Sequence, residues 1–395
     1  MKPVLVLITH VENRAVTQGF VPAAVKLGYE IILVTDHGLA HRQYFSYAAA
    51  SPDQILEADV FNPLAIIDML QTRGIEPQLV FSNSDHLQTS TALVAQYFAC
   101  PGKDWRLCYQ AKNKAAMRAR LAELMLPNVW SHCWQAQQDL PETIPFPVVA
   151  KPREGVASMD VTLCESHAAL LAYGAETARG DACILLEAYL QGPLFTLETL
   201  GDGERLQAIG GFDVTLSELP HFVETQAQWN GPICTRFREQ ALAQVEAFGI
   251  NFGVCHSEFI LTAQGPVLVE INYRSIGDGR EFLLDELLPF NWFETILSLH
   301  AGAALPALET HTPAALVRYF PALASGHIER SPEAFVQQSP HGAARFLPLK
   351  RAGEHLSLSH SNKDYLGVLT LIGENLQGLE ASADALGQQL EWELN

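Results

Sequence analysis

Short apolar runs alternate with amphipathic stretches over the first hundred residues, and turn residues separate them. The runs predict buried strands at Val4–Ile8, Ile31–Thr35 and Leu79–Ser82. The stretches with helical spacing predict helices at Thr17–Leu27, Asn62–Arg73 and His86–Phe98. This alternating order predicts a doubly wound parallel sheet with helices on its faces.

Polar residues follow the predicted strands of this region. The turn after the first strand, residues 9–14, contains no glycine, so the GxGxxG signature of dinucleotide-binding domains is absent. Asp36 follows the second strand and fits either a ribose-binding acid or, more commonly, a cap or loop residue. Asn83, Ser84 and Asp85 end the third strand, where they either contact a ligand or cap the next helix; we favour the cap.

A basic amphipathic helix is predicted over Ala111–Leu124. Its basic residues are interpreted as a solvated face: Lys112, Lys114, Arg118 and Arg120. A later predicted strand ends at Lys151, and the loop after it, residues 153–158, contains one glycine. A lysine at a strand end followed by small residues is typical either of a phosphate-binding loop or of a surface turn.

Two apolar strands joined by turn residues are predicted at His256–Thr262 and Val267–Ile271. Since strand side chains alternate, Glu270 and Asn272 share one face, and His256 and Glu258 share one face. If the hairpin pairs, carboxylate and amide oxygens converge, and these are the ligands that Mg²⁺ prefers. The alternative is an ordinary hairpin with solvated carboxylates, and the hairpin alone does not decide between them.

Composition narrows the class of protein. A chain of 395 residues with net charge −19 predicts two or three domains and argues against nucleic-acid or anionic-membrane partners.

Seven scattered cysteines without a CxxC pair predict reduced thiols, a cytoplasmic location and no zinc site. The first apolar run ends at Ile8, which predicts a strand and not a signal peptide, and no run approaches the ~20 residues of a membrane span.

The order of these motifs resembles the ATP-grasp superfamily over most of residues 1–300, and within it the carboxylate–amine ligases, including L-amino-acid ligases. The motifs include Lys114 and Lys151, the segment from Glu187 to Leu190 with its following Gly192–Pro193 turn, and the array Glu258…Glu270-x-Asn272-x-Arg274. The resemblance implies a pre-ATP-grasp domain at 1–107, an ATP-grasp domain at 108–305 with a lid at about 113–186, and a C-terminal α+β module at 306–395.

The resemblance also implies roles for single residues. Lys114 and Lys151 neutralise nucleotide phosphates, and Ser158 belongs to the loop that covers them. The main chain of the hinge grips adenine, and a following carboxylate binds ribose: Glu187, Ala188, Tyr189, Leu190 and Glu198. One or two Mg²⁺ ions, or Mn²⁺, are held by Glu258, Glu270 and Asn272. Arg274 steadies the transferred phosphoryl or acyl group, and Gly277 and Gly279 bind the substrate carboxylate.

The implied activity is ATP-dependent, ADP-forming ligation of a small carboxylic acid, an amino acid in particular, to an amine through an acyl phosphate. Other ATP-grasp reactions, such as those of carboxylases or purine-pathway enzymes, and non-catalytic nucleotide binding are the alternatives. The expected partners are small molecules, and a homodimer is expected on frequency alone.

Two segments depart from the family pattern. The predicted phosphate loop after Lys151 is poor in glycine, and residues 216–229 match no motif. No general base is identified; His256 is considered but interpreted as structural.

Overall fold

The computed structural model describes residues 2–136, 138–177, 183–308 and 313–395. Residues 178–182 of the predicted lid and residues 309–312 of the predicted C-terminal module lie outside the described residues. Within the described ranges, no helix combines the length and the apolar character that a membrane crossing requires.

The N-terminal region is the predicted parallel sheet with helices. Its elements are β1 (Val4–Ile8), α1 (Val21–Lys26), β2 (Glu30–Thr35), α2 (Gly38–Phe45), β3 (Gln54–Glu57), α3 (Pro63–Thr72), β4 (Leu79–Phe81) and α4 (Gln88–Tyr97). The strand order is β3-β2-β1-β4, so the chain reverses direction across the sheet between β1 and β4. In such sheets the carboxyl edge at the reversal is where ligands bind.

Two of these elements, α2 and β3, were not predicted. The buried positions of α2 are Gly38, His41 and Phe45, and neither glycine nor histidine marks an apolar stripe. β3 is short and buries Leu56 alone. The first predicted helix also differs, because a π-helical turn at Ala15–Phe20 precedes α1.

The predicted helix over Ala111–Leu124 is wrong as a single element. The structure has α5 (Trp105–Lys112) and α6 (Lys114–Glu123), separated at Asn113. Asn113 has extended backbone angles, φ −88° and ψ 99°, and its side chain accepts a hydrogen bond from the amide of Ala116. It is therefore the N-cap of α6, a role for which asparagine is well suited.

A small antiparallel sheet follows, in the predicted lid. Its elements are β5 (Ser131–Trp134), β6 (Val148–Pro152), β7 (Thr162–Cys164), α7 (His167–Thr177) and β8 (Ile184–Ala188). The strand order is β5-β8-β6-β7, and Trp134 and Tyr173 pack in the core beneath it.

The expectation of reduced thiols is wrong for two cysteines of this sheet. Cys133 lies on β5, Cys183 immediately precedes β8, and the two form a disulfide. Pairing of β5 with β8 brings their Cα atoms to 5.6 Å across 50 residues of sequence. That separation falls in the range a disulfide spans, and the sequence spacing does not reveal it.

A long antiparallel sheet forms the rest of the molecule. Its elements, with their helices, are β9 (Leu194–Asp202), β10 (Leu206–Gly210), β11 (Phe212–Leu216), β12 (Glu224–Trp229), α8 (Pro232–Phe248), β13 (Phe252–Thr262), β14 (Gly265–Asn272), α9 (Arg280–Leu287), α10 (Trp292–His300), β15 (Ala314–Pro321), β16 (Gly326–Arg330), β17 (Phe335–Ser339), β18 (Gly342–Pro348), β19 (His355–Leu356), β20 (Tyr365–Gly373), α11 (Leu376–Gly387) and β21 (Glu393–Leu394). The order is β14-β13-β9-β11-β12-β15-β20-β18-β17, with β10 on β9 and a small sheet β19-β16-β21 beside it.

This sheet continues across the predicted boundary near residue 305. β12 pairs with β15, so strands on both sides of the boundary share one hydrogen-bonded ladder. The fold class is confirmed: a parallel sheet with helices, followed by antiparallel sheets. The exact division into three units stays a prediction.

Candidate active site

The predicted hairpin forms, and its pairing register places the polar side chains opposite one another. β13 and β14 are antiparallel, with Glu258 opposite Glu270 and His256 opposite Asn272. Asn272 Nδ2 lies 3.5 Å from Glu258 Oε1. The structure therefore brings Glu258, Glu270 and Asn272 together on one face, a donor set of two carboxylates and an amide that fits Mg²⁺.

His256 connects this face to the sheet interior. Its Nδ1 donates to Glu198 Oε1 at 2.7 Å, and its Nε2 lies 3.4 Å from Glu258 Oε1. Burial lowers the pKa of His256, but the charges and hydrogen bonds of Glu198 and Glu258 outweigh burial and raise it to about 9. The two carboxylates therefore favour the protonated ring, which agrees with the interpretation of His256 as structural.

Glu198 occupies a different position from the one the resemblance implies. Its side chain is fully buried and accepts hydrogen bonds from His256 and from Thr196 Oγ1. Direct contact with a nucleotide ribose does not fit this placement, because His256 stands between Glu198 and the hairpin face. In the structure Glu198 is a buried partner of His256, and its predicted contact with ribose stays a prediction.

A cleft lies over the hairpin, between the small sheet and β13–β14, and encloses about 900 Å³ of empty space that includes solvent at its mouth. We call it the first cleft. Most predicted nucleotide and metal residues line it: Lys114, Lys151, Ser158, Glu187, Ala188, Tyr189, Leu190, Glu258 and Glu270.

Lys114, at the start of α6, contacts both β14 and the loop after β6 in the first cleft. Its Nζ donates to Glu270 Oε1 at 2.9 Å and to the carbonyl oxygen of Gly155 at 3.1 Å. Burial lowers the pKa of Lys114, but Glu270 outweighs burial and raises the pKa above its usual value. The ammonium group is therefore charged and fixed beside the carboxylates.

Lys151 is held by a buried network that includes an unpredicted residue. Its Nζ lies 2.7 Å from Glu187 Oε2, and Arg118 contacts the same carboxylate through Nε at 2.6 Å and Nη2 at 3.1 Å. Burial raises the pKa of Glu187, yet the charges of Lys151 and Arg118 lower it to about 2. Arg118 is 2% exposed, which contradicts its interpretation as part of a solvated face.

The loop after β6 reaches its position without a glycine run. Ala157, Ser158 and Asp160 adopt left-handed backbone angles, with φ of 56°, 55° and 56°. Such angles are costly for residues other than glycine and persist where surrounding contacts impose them. Two backbone bonds do so here: the Lys114 amide donates to Arg153 O and the Asn362 amide donates to Ala157 O, both at 3.1 Å.

The segment predicted to grip adenine extends beyond β8. The amides of Ala188 and Tyr189 donate to the carbonyl oxygens of Trp130 and Pro147 at 2.9 and 3.1 Å. The amide of Leu190 makes no hydrogen bond within the described part of the chain. It is therefore the donor that this segment leaves available to a ligand.

A second cleft lies on the other side of the hairpin face, where the N-terminal sheet meets the loop after β14. Among the residues that line it are Arg14, Asp85, Arg274, Gly277, Gly279 and Glu281. Arg274 Nη2 lies 3.3 Å from Asn272 Oδ1, so this arginine connects the hairpin face with the second cleft. The structure thus separates the residues predicted for nucleotide from those predicted for substrate.

The polar residues after β4 make contacts where the N-terminal sheet meets the loop after β14. Asn83 Oδ1 accepts from the amide of Ser275 at 3.1 Å, and Asp85 forms an ion pair with Lys112. Ser84 precedes the short 3-10 turn but makes no capping hydrogen bond through its side chain. The favoured interpretation as a helix cap is therefore wrong, and these residues join the parallel sheet to the substrate-side loop.

Asp36 lies apart from both clefts. His10 Nδ1 is 2.8 Å and His37 Nδ1 is 3.0 Å from Asp36 Oδ1. At the carboxyl edge of the sheet, Asp36 therefore links the turn that carries His10 to the turn that carries His37. This position does not fit contact between Asp36 and a nucleotide in the first cleft.

Comparison with known proteins shows what fold this chain has. No protein-family model matches the chain. In overall fold the chain is similar to the L-amino acid ligase from Bacillus licheniformis, with TM-score 0.81, 18% identity and full coverage of both chains. The chain has an ATP-grasp fold. The chain is also similar in fold to phosphoribosylglycinamide synthetase from Anaerococcus prevotii, with TM-score 0.72, 14% identity and full coverage of both chains.

Three curated proteins are similar to this chain in sequence. Uncharacterized protein y4rH of Sinorhizobium fredii is 28% identical over 294 residues, 70% of this chain and 59% of its own length. Carnosine synthase 1 of Gallus gallus is 28% identical over 243 residues, 54% of this chain and 26% of its own. Dapdiamide A synthase of Enterobacter agglomerans is 27% identical over 198 residues, 45% of each. The chain thus matches between about a quarter and three fifths of these relatives' lengths.

Proposed function

We propose that this ATP-grasp protein is an ATP-dependent, ADP-forming ligase that joins a small carboxylic acid of the amino-acid class to an amine. The observation that carries the proposal is that Glu258 and Glu270 line the first cleft, while Asn272 beside them lies 3.3 Å from Arg274, which lines the second cleft. The first cleft carries two buried lysines, and the second carries Arg274 and the Gly277–Gly279 loop. The names of two sequence relatives and of the structural relative, synthases of carnosine and dapdiamide A and an L-amino acid ligase, agree with this class.

The first cleft supplies what phosphoryl transfer to a carboxylate requires. Both reactants are anions, so positive charge must offset their repulsion. Lys114 and Lys151 are buried and fixed by Glu270 and Glu187, so no side-chain reorganisation is needed when phosphates arrive. Glu258, Glu270 and Asn272 would hold Mg²⁺, which supplies further charge neutralisation at the phosphates.

The second cleft supplies the acyl-transfer half. A carboxylate becomes reactive when its oxygen is phosphorylated, because phosphate is a far better leaving group than oxide. In this proposal the guanidinium group of Arg274 stabilises negative charge on the acyl oxygen while an amine attacks. The amides of the Gly277–Gly279 loop, at the start of α9, suit a substrate carboxylate.

The proposal is tested with purified protein, ATP, Mg²⁺ and the proteinogenic amino acids, singly and in pairs. We expect ADP release that depends on the acid, and a hydroxamate when hydroxylamine replaces the amine. ATP binding without ADP release for any acid would favour a binding protein. Turnover that requires bicarbonate would favour a carboxylase, and either result would overturn the ligase proposal.

A further inference from the structure

One oxygen of a buried carboxyl group in the second cleft lacks a hydrogen-bonding partner. Glu281 lies in the first turn of α9 and is 5% exposed. Its Oε2 atom accepts no hydrogen bond within the described part of the chain, although the side chain lines the cleft. Leaving a buried polar atom unpaired costs free energy, so such an atom beside a cleft is a candidate to receive a hydrogen bond or a proton from a ligand.

The charged groups around Glu281 come from several elements. Arg14, at the turn before α1, and Arg274 and Asp278, from the loop after β14, all influence the Glu281 carboxyl. The cleft is also lined by titratable groups from the turn after β4 and from the C-terminal region: Asp85, Lys350, Lys363 and Tyr365. Burial raises the pKa of Glu281 to about 7, with Asp278 acting in the same direction, while Arg274 and Arg14 lower it only in part.

Other acids lie near the site. Asp85 pairs with Lys112, and Glu224 Oε2 lies 2.9 Å from Arg280 Nη2 without the geometry of a hydrogen bond. Glu224 lines the first cleft, whereas Glu281 lines the second. Asp278 is exposed to solvent. Glu258 and Glu270 belong to the face proposed for metal, and His256 is a cation. Among the described residues that line the second cleft, Glu281 thus combines burial, an unpaired oxygen and proximity to Arg274.

We propose that Glu281 is the general base of amide formation, which receives a proton from the attacking ammonium group in the second cleft. This inference rests on the proposed ligase function. The amine substrate enters as R–NH₃⁺, and Glu281 takes one proton. The nitrogen lone pair then forms the C–N bond at the acyl carbon, and the C–O bond to phosphate breaks with its electron pair on the phosphate. The second proton lost by nitrogen leaves with the phosphate as HPO₄²⁻.

The chemistry explains why such a residue is needed. An ammonium ion has no lone pair, so it cannot attack an acyl phosphate. A base is most effective when its pKa lies near the working pH, since it is then both ionised and able to hold a proton. An ordinary solvated glutamate, with a pKa near 4.3, holds a proton too weakly for that purpose.

The test compares two nucleophiles in the same protein. Hydroxylamine is largely unprotonated at neutral pH and needs no base, whereas an amino-acid amine is mostly protonated. In Glu281→Gln we expect hydroxamate formation within about twofold of wild type, and amide formation at pH 7 reduced by about 10²–10⁴-fold. The loss should shrink as the pH is raised, because free amine then accumulates in solution. Glu281→Asp should restore part of the rate.

Glu286→Gln is the matched control, since Glu286 lies on the same helix and pairs instead with Arg345 at the surface. It should leave both products unchanged. If Glu281→Gln retains amide formation, or loses the hydroxamate and the amide together, Glu281 is not the base. The wild-type profile is a second check: amide formation should fall below a pKa near 7 where hydroxamate formation does not. If wild-type protein forms neither ADP nor hydroxamate, the ligase proposal itself fails.

Discussion

The contact between Asn272 and Arg274 connects the hairpin face of the first cleft to the second cleft, yet the charged residues of the two clefts are arranged differently. In the first cleft Lys114, Lys151 and Glu187 each have a partner at hydrogen-bonding distance, so their positions are set before a ligand arrives. In the second cleft Glu281 has an unpaired oxygen. Gly277 is also unconfined there, since a Cβ atom would meet nothing within 4 Å. The contrast indicates a preorganised nucleotide side and a substrate side that a ligand completes.

The largest effect is expected where the two clefts join. Glu270→Gln removes a proposed metal ligand and the anion that holds Lys114, at nearly constant volume. Acid-dependent ADP release should fall by more than about 10³-fold while the thermal unfolding temperature changes little. Glu246→Gln, an exposed site on α8, is the control. Activity with unaltered Mg²⁺ dependence would show that the metal assignment is wrong.

Substitution of Arg118 tests most directly whether the charged residues of the first cleft are preorganised. Arg118→Met leaves the Glu187 carboxylate with one cation fewer in a buried site, so the free energy of unfolding should fall by about 3 kcal/mol. The affinity for ATP should fall as well, because Arg118 helps to fix Glu187 and Glu187 in turn positions Lys151. Urea unfolding and calorimetric titration with ATP measure the two effects. Arg106→Met, at an exposed arginine, should change neither. Unchanged ATP affinity in Arg118→Met would separate the network from the nucleotide site.

The openness of the second cleft is tested at Gly277. Its φ is not positive and no atom crowds a Cβ, so Gly277→Ala should fold with unaltered stability. If a substrate carboxylate approaches this backbone closely, the added methyl should reduce kcat/KM for the acid by about 10²-fold. ATP affinity, which reports on the first cleft, should not change. A variant with wild-type kcat/KM would remove Gly277 from the substrate site.

The smallest effect concerns stability and pH. The folded-state pKa of Glu281 is raised to about 7, above that of the unfolded chain, so the folded state binds more protons between these values. The contribution of Glu281 to the free energy of unfolding therefore decreases as the pH rises from the pKa of the unfolded chain to about 7. Glu281→Gln should raise the unfolding temperature at pH 8 and raise it less at pH 5. An equal change at both values would mean that the buried carboxyl does not titrate as described.

Some features of the site were accessible from local patterns. The alternation of polar residues predicted which side chains of β13 and β14 share a face, and the register confirms that pairing. The burial of Arg118 also had a signal that was overlooked. Lys114, Met117, Arg118 and Leu121 are the buried residues of α6 and fall at i, i+3, i+4 and i+7. The two cations therefore lie on the apolar stripe, not on a solvated face.

Other features had no local signal. Glu198 was predicted to reach a ligand because it follows the hinge, but β13 covers it with His256 from 58 residues later. The loop after β6 lacks the expected glycines, and its position depends on Asn362 from the C-terminal region. Neither arrangement follows from the residues beside it in sequence.

The sequence by itself determined the kind of sheet at each end of the chain, the hairpin and the oxygen ligands on its face, because strand alternation and residue chemistry are local properties. The tertiary structure alone decided which charges are paired. Lys114 meets Glu270 across 156 residues, and Arg118 meets Glu187 across 69. Burial and pairing set whether a carboxyl group is ionised, and both depend on distant segments that pack together. Glu281 is the clearest case: its sequence position marks a helix start, and only packing leaves it buried, unpaired and facing the second cleft.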